Sequence, residues 1–376
     1  MNTQTARRSA KSGRRWDIDW LRVLAVLLLF PFHTARIFGT FGNWYVKNDQ
    51  LSQALTYIIA FVIHWHMPLF FILAGAATWF SLRRRSGSQY LRERLTRLLV
   101  PFLFGFLVIV PPQIYVGLRQ RPSYLRFYPS FFSYADMGHL WFIFYLFLFS
   151  LVGLPLFLYL KSQSGGHLMD RLAGFLARPG VILLLPVILL VVTDYLMLHF
   201  YPNPVYFITF FIYGYILMAD GRLEESIDRY KGVALILGVA LFVVWESLVA
   251  LGVISPDRLQ PIPRSLITWF CLMALMGYGR QFLNFTNRFL NYFGEASYPV
   301  YILHQTAIVI IGFFVVKWSA DMLPKFVTIV VASFVVTVLL YDLVVRRTNV
   351  TRFLFGMRLL KKPPETPAAR PEEAAA

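Results

Sequence analysis

Cysteine is nearly absent. Cys271 is the only one in 376 residues, so no disulfide forms within the chain. It sits in an apolar block and reads as a small packed residue, not a nucleophile. Charge is scarce as well. Only 15% of residues are Asp, Glu, Lys or Arg, against about a quarter in soluble domains. Acids are the scarcer sign, 19 against 36 bases. The net charge of +17 would suit a nucleic-acid binder if the bases shared one surface. They gather instead at the ends of apolar blocks, so membrane topology explains them and no nucleic-acid partner is expected. Missing too are a repeat of roughly 20–50 residues and a clear two-half symmetry.

What is present is apolar sequence in long blocks. Hydrophobic residues make up 57% of the chain. Val23–Phe32, Leu98–Val110, Leu140–Leu160 and Phe326–Leu340 are almost charge-free. Lipid supplies no hydrogen-bond partners to backbone, so such spans must be helices or a closed barrel. A barrel needs period-two alternation, which these blocks lack. The fold class expected is therefore all-α: a polytopic membrane bundle of about ten transmembrane helices. The spans are placed at 17–38, 54–81, 98–118, 139–160, 180–200, 204–219, 232–254, 263–279, 296–317 and 323–345. The first resembles a signal peptide, but Arg36 and bulky aromatics stand where a small-residue cleavage site would follow. It is taken as a retained helix.

Basic residues sort by loop. The N-tail and the connections after spans two, four, six and eight are rich in Arg and Lys, as is the C-tail. The alternate loops are poorer, except the third, with Arg119, Arg121 and Arg126. By the positive-inside rule both termini are cytoplasmic. The division expected is a basic tail over 1–14, a membrane domain over 15–358 and a tail over 359–376. Rich in Pro, Glu and Ala, that last segment reads as disordered over 363–376.

An ionisable side chain in hydrocarbon costs at least about 2.5 kcal/mol, so each one needs a reason. Span one carries Asp17, Asp19, Arg22, His33 and Arg36. Asp19 and Arg22 are three apart and can pair. Arg22 and His33 are eleven apart, which at about 100° per residue returns to one face about 16 Å further along. Pro31 removes a backbone hydrogen bond just before His33, and a local kink is expected. Histidine suits proton transfer near neutral pH. His33 thus reads either as a general base in a tunnel or as a buried histidine bonded between helices.

Four further clusters follow. His64 and His66 are two apart, so at most one should face the interior that His33 faces, and the spacing is poor for a shared metal. No metal is expected. Arg94 and Arg97 share a face at the mouth of span three, where two guanidiniums can grip phosphates; positive-inside arginines are the plainer reading. His139 and Trp141 open span four, as site residues or as interfacial belt. Glu295, Ser297, Tyr301 and His304 open span nine. The last three lie at i, i+4 and i+7, a polar stripe that must face the bundle interior. His304 is placed in the cytoplasmic half. His167 and His199 look ordinary.

Together these pieces resemble the acyltransferase 3 family of membrane-bound acyltransferases, over about residues 15–358. The likeness lies in Asp19-Trp20-Leu21-Arg22 with His33, which matches the family's Arg-x10-His pattern, and in His66-Met67-Pro68-Leu69-Phe70-Phe71. It continues in Arg94-x-x-Arg97, His139-Leu140-Trp141-Phe142 and Ser297 to His304. Within the family the chain looks most like the glucan biosynthesis protein C branch, which succinylates periplasmic glucans. That likeness rests on Pro31-Phe32-His33, the outer loop with Trp44 and Asn48, and Arg352-Phe353-Leu354-Phe355. Ala74-Gly75 departs from the Ser-Gly of many relatives.

The resemblance implies an O-acyltransferase of the bacterial inner membrane. It implies acyl-CoA (acetyl-CoA or succinyl-CoA) as co-substrate from the cytoplasm, no permanently bound cofactor, and a carbohydrate acceptor on the outer side. On this reading His33 is the catalytic base, with Arg22 and Asp19 orienting the site. Arg94, Arg97, Tyr301 and His304 serve the donor. His66, His139, Trp141, Glu295 and Ser297 serve the acceptor, and Arg36 is a candidate cation for a succinyl carboxylate. Outer aromatics Trp44, Tyr45, Tyr124, Tyr128 and Tyr134 stack on sugars or form an interfacial belt. The alternative is a transporter or exporter of a glycan or lipid-linked intermediate; the missing inverted repeat counts against it.

Overall fold

A computed structural model describes residues 14–134, 136–197, 200, 202–254 and 260–360. His199, the bases Arg7, Arg8, Lys11, Lys361 and Lys362, and the tail 363–376 lie outside the described residues. The described chain is helical, with one isolated bridge between Gly39 and Ser52 and no strand. The helices are α1 Trp16–Phe38, α2 Gln53–Leu82, α3 Gly87–Gly117, α4 Tyr124–Ser130, α5 Trp141–Lys161, α6 Gln163–Leu176 and α7 Val181–Leu196. After them come α8 Pro204–Ala219, α9 Gly221–Ala250, α10 Pro261–Phe282, α11 Arg288–Val315, α12 Met322–Val345 and α13 Asn349–Leu354.

Each of the ten expected spans falls on a helix. Among the described residues seven helices are long and apolar enough to cross a membrane, and eight if α6 and α7, bent by 113°, count as one span. Helix boundaries move most where bases sit. Arg92, Arg94 and Arg97 are on α3 rather than in a loop, Arg171 is on α6, and Arg229 and Lys231 are on α9. A helix satisfies its own backbone beyond the apolar limit that hydropathy detects, so it runs on into the charged zone.

The basic connections meet at one end of the bundle. Arg15 pairs with Asp17 and Glu224, and Arg280 reaches Glu224 at 3.4 Å and Asp228 at 3.3 Å. Arg222 pairs with Asp170 at 2.7 Å, and Lys161 donates to the Leu82 carbonyl at 2.8 Å. The N-tail and the connections after spans two, four, six and eight are thereby cross-linked. At the other end Tyr45 donates to Asp136 at 2.9 Å and Lys325 to Asn48 at 3.3 Å. The exceptional third loop has a local cause at Arg121. Its guanidinium caps the Val116 carbonyl at the end of α3 at 2.7 Å and lies 4.3 Å from the Phe313 ring.

Proline is frequent inside these helices, and each one deprives the carbonyl four residues back of its partner. Side chains from other helices replace three of the lost donors. Pro68 frees the His64 carbonyl, which takes the Thr268 hydroxyl at 2.8 Å. Pro111 frees Leu107, which takes Tyr128 at 2.7 Å. Pro186 frees Ile182, which takes the Trp269 indole N–H at 2.8 Å. α1 continues through Pro31 without a break.

α2 and α8 meet through glycine. A Cβ on Gly75 would lie 1.9 Å from the Phe211 carbonyl oxygen, and one on Gly214 would lie 2.0 Å from that of Ile72. Small residues let the two backbones touch. The Gly of Ala74-Gly75 is therefore a packing requirement. α1 and α11 run parallel, with Trp20 against Phe285 and Phe289, Arg22 beside the Gly294 carbonyl, and Ile37 against Gly312.

Thr268→Val keeps the shape but strands the His64 carbonyl. It is expected to cost about 1–3 kcal/mol of stability. A fall in melting temperature of the detergent-solubilised protein checks this, and an unchanged melt would show that the freed carbonyl needs no such donor.

Candidate functional site

The ends of α1, α2, α5 and α10 enclose a cavity of about 790 Å³ at the end away from the basic connections. His33, Arg36, Trp44, His64, His66, His139, Trp141, Arg264, Tyr301 and Gln305 are among its walls. The sequence-predicted residues His33, His66, His139, Trp141 and Tyr301 are thus brought together. His33 stacks on Trp44, with ring centres 5.9 Å apart and planes 9° apart. His304 is fully buried behind it, ring centres 5.2 Å apart, and lies 5.1 Å from His139.

Backbone carbonyls hold these rings. A carbonyl can only accept, so the bonded ring nitrogen must carry the proton. His66 donates through Nε2 to Ala25 at 2.8 Å. His139 donates through Nε2 to Ile302 at 2.9 Å, and His304 through Nδ1 to Tyr301 at 2.6 Å. The Tyr301 hydroxyl donates to the His139 carbonyl, which clasps the turn Gly138–Leu140 to α11 from both sides. Three ring nitrogens are left buried with no partner: His33 Nδ1, His139 Nδ1 and His304 Nε2.

The depth of His304 corrects the expectation that put it nearer the cytoplasmic mouth than His33. α11 begins at Arg288, eight residues before the apolar run. His304 is then 16 residues into α11 and His33 is 17 into α1, and parallel helices place them level. His64 brings a second correction. It and His66 both border the cavity, because the space extends round α2 from α1 to α10. His64 is tied by Nδ1 to the Ala60 carbonyl at 2.7 Å.

Other predicted residues stand outside this cavity. Asp19 holds Arg22 at 2.8 Å and Arg14 at 2.8 Å, near the basic end. Arg94 lies over the Tyr90 ring at 4.6 Å with its Nε buried and unpartnered. Glu93 takes Arg97 at 3.3 Å and Arg85 at 3.0 Å. Arg85, Arg94 and Arg358 all lie within electrostatic range of Arg97. The π-helical turn Leu95–Leu99 carries Arg97, so the ideal helical spacing assumed for the pair does not apply there. Glu295 is occupied by buried Arg352 at 2.6 Å, which fastens α13 to α11. Ser297 bonds back to the Phe293 carbonyl.

The loop aromatics divide. Trp44, Tyr45 and Tyr134 line the cavity, whereas Tyr124 and Tyr128 pack with Tyr115 and Phe127 beside α3. Burial, then the Asp136 carboxylate, push the Tyr45 hydroxyl up in pKa, so it stays a donor. Among the wall residues not singled out from sequence are Arg264 and Gln305. Arg264 is held by buried Asp194 at 3.3 Å and lies 4.6 Å from the Tyr206 ring. A cation at the edge of an apolar run was the signal. Gln305 follows His304, and its signal was one more polar group inside a span. Among the described residues no group of three or more His, Cys, Asp or Glu is set to hold a metal.

Residues 15–342 match the family model of acyltransferase 3, described as an acyltransferase domain. The chain belongs to the acyltransferase 3 family. It is similar to glucans biosynthesis protein C of Salmonella agona (strain SL483) and of Salmonella paratyphi A (strain ATCC 9150 / SARB42). The same protein of Salmonella typhi is equally similar. Each is 22% identical over 374 residues, which cover 93% of this chain and 96% of the relative. No solved structure matches. The apolar helices and the family together make this acyltransferase 3 member a multi-pass membrane acyltransferase.

Tyr301→Phe removes the donor to the His139 carbonyl. It is expected to destabilise the protein by about 1–3 kcal/mol and to loosen His139. Thermal unfolding in detergent checks the first effect, and an unshifted melt would show that the clasp contributes nothing.

Proposed function

We propose that the chain moves an acyl group, acetyl or succinyl, from cytoplasmic acyl-CoA to a hydroxyl of an extracytoplasmic carbohydrate such as a periplasmic glucan. The setting is the bacterial inner membrane, with both termini cytoplasmic. One observation carries this reading. A histidine whose Nδ1 is buried without a partner lines a roomy cavity at one end of the bundle, and an arginine cluster stands at the other.

The chemistry needs two things. CoA brings phosphates, and Arg94 and Arg97 would meet them in a zone where Arg85 and Arg358 also lie near Arg97. The acceptor brings a weakly acidic hydroxyl, which His33 would deprotonate as it attacks the thioester carbonyl. The hydroxyl oxygen bonds to the acyl carbon, the C–S bond breaks, and the imidazolium returns its proton to the leaving thiolate. His66, His139 and Trp141 would line the acceptor's place, and Trp44 offers a face for a sugar ring. Tyr301 would keep His139 in position. Asp19 and Arg22 would act at a distance, by fixing α1 against α11 at Gly294. Glu295 would brace α11 through Arg352, and Ser297 bonds back to its own helix. Arg36 in the cavity wall favours an acyl group with its own carboxylate. The relatives' name, glucans biosynthesis protein, supports a glucan acceptor.

His33→Ala is expected to lower acyl transfer at least about 100-fold in a protein that folds normally. Full transfer by that variant would sink the mechanism. Arg97→Ala should raise KM for acyl-CoA about tenfold with kcat less affected, as expected for a lost charged hydrogen bond. Mass spectrometry of periplasmic and surface glycans, with and without the gene, reads the acyl group and the acceptor together.

A further inference from the structure

We propose that His304 is a positioning residue for His33, a neutral imidazole that accepts the Nδ1 proton of His33 and so turns Nε2 of His33 into the base. The proposal rests on the reading of His33 as the base. It follows from three observations about ring nitrogens.

First, the tautomer of His304 is set by the backbone. Its Nδ1 faces the Tyr301 carbonyl at 2.6 Å and must donate there. Its Nε2 is then a lone pair, and it is buried without a partner. Second, His33 also buries its Nδ1 without a partner, while its ring lines the cavity. The two ring centres are 5.2 Å apart and the planes 39° apart. A small adjustment lets Nδ1–H of His33 meet Nε2 of His304, and each then satisfies the other. A buried polar atom left alone costs about 1–3 kcal/mol, so both gain from the contact. Third, His304 is wholly buried and does not line the cavity. It cannot touch a substrate held there and acts only through His33.

The arrangement does for His33 what an orienting carboxylate does in a hydrolytic triad: it selects the tautomer and steadies the imidazolium. A neutral ring suits this depth better, because a carboxylate buried here would need its own counter-charge. Proton flow stays balanced. The acceptor hydroxyl gives its proton to Nε2 of His33 as the C–O bond forms. The Nδ1 proton is shared with His304, and the thiolate takes the Nε2 proton as it leaves. Around His33 the other charged or titratable groups are His66, His139 and Arg36.

Two isosteres separate this role from packing. Asn at 304 reaches only as far as Nδ1, so it keeps the tie to the Tyr301 carbonyl but offers His33 nothing. Gln reaches the place of Nε2 and presents a carbonyl oxygen there. His304→Asn is expected to lower kcat about 100-fold with little change in KM for acyl-CoA, while His304→Gln stays within about tenfold of the parent. The imidazolium of His33 loses support in the Asn variant, so the limb of the pH–rate profile that reports its ionisation should move to lower pH. Equal rates for the two variants, or an unmoved limb in the Asn variant, would overturn the proposal. His33→Ala run alongside separates the two claims. If it retains transfer, the base assignment fails. If it abolishes transfer while Asn at 304 does not, only the role of His304 fails. Size-exclusion elution and melting temperature confirm that the compared proteins are folded.

Discussion

Hydrocarbon offers no partner to a polar atom, and much of this structure follows from that constraint. A proline in a soluble helix leaves a carbonyl to water. Here Thr268, Tyr128 and Trp269 reach across to three carbonyls that prolines have freed. Prolines therefore connect helices in this bundle as well as interrupt them. Each one fixes a donor on a neighbour, and Pro68 does so at the wall of the cavity, through Thr268 of α10. Gly75 and Gly214 meet the same demand from the other direction. They bring α2 and α8 close enough for backbones to touch without a polar group in between.

The histidines obey the same constraint, and there it becomes chemistry. A buried imidazole must hydrogen-bond or stay costly. His66, His139, His304 and His64 all spend one nitrogen on a backbone carbonyl. Each bond settles which nitrogen holds the proton and leaves the other as an acceptor. His33 alone among the cavity histidines makes no such bond, and it stacks on Trp44 where the cavity opens. The proposed proton-transfer site thus sets one imidazole without a carbonyl tie among neighbours whose tautomers are assigned.

Helix positions and the grouping of polar residues were legible in the sequence. Ten apolar blocks became ten helices, and four of the five motifs supplied cavity residues, Arg94-x-x-Arg97 being the exception. What was not legible concerns ends and angles. Apolarity marks where lipid begins, whereas a helix begins where its backbone can close its first turn. α11 starts at Arg288, capped by the Asn287 side chain, and the eight-residue difference moved His304 to the level of His33. Likewise α3 holds π-helical turns at Leu95–Leu99 and Gly105–Ile109, which no hydrophobic period announces. The Arg94 and Arg97 geometry depends on the first. Glu295 stands just before the polar stripe of Ser297, Tyr301 and His304. Its partner Arg352 is 57 residues away, and only the fold brings the two together.

The bundle also separates its two charged regions by function of place. At the basic end, carboxylates are shared among more guanidiniums than they can neutralise: Glu93 alone answers to Arg85 and Arg97, with Arg94 and Arg358 nearby. A surplus of cation there attracts phosphate. At the other end the polar groups are mostly neutral imidazoles and aromatics, and Arg264 is already matched by Asp194. That end is suited to a neutral, hydroxyl-rich ligand that must be held loosely and released. Between the two, His304 and His33 occupy the same depth on parallel helices, so a thioester fed from the basic end and a hydroxyl fed from the cavity would meet at one imidazole. On the proposed function, the depth of that pair matters more than the number of crossings.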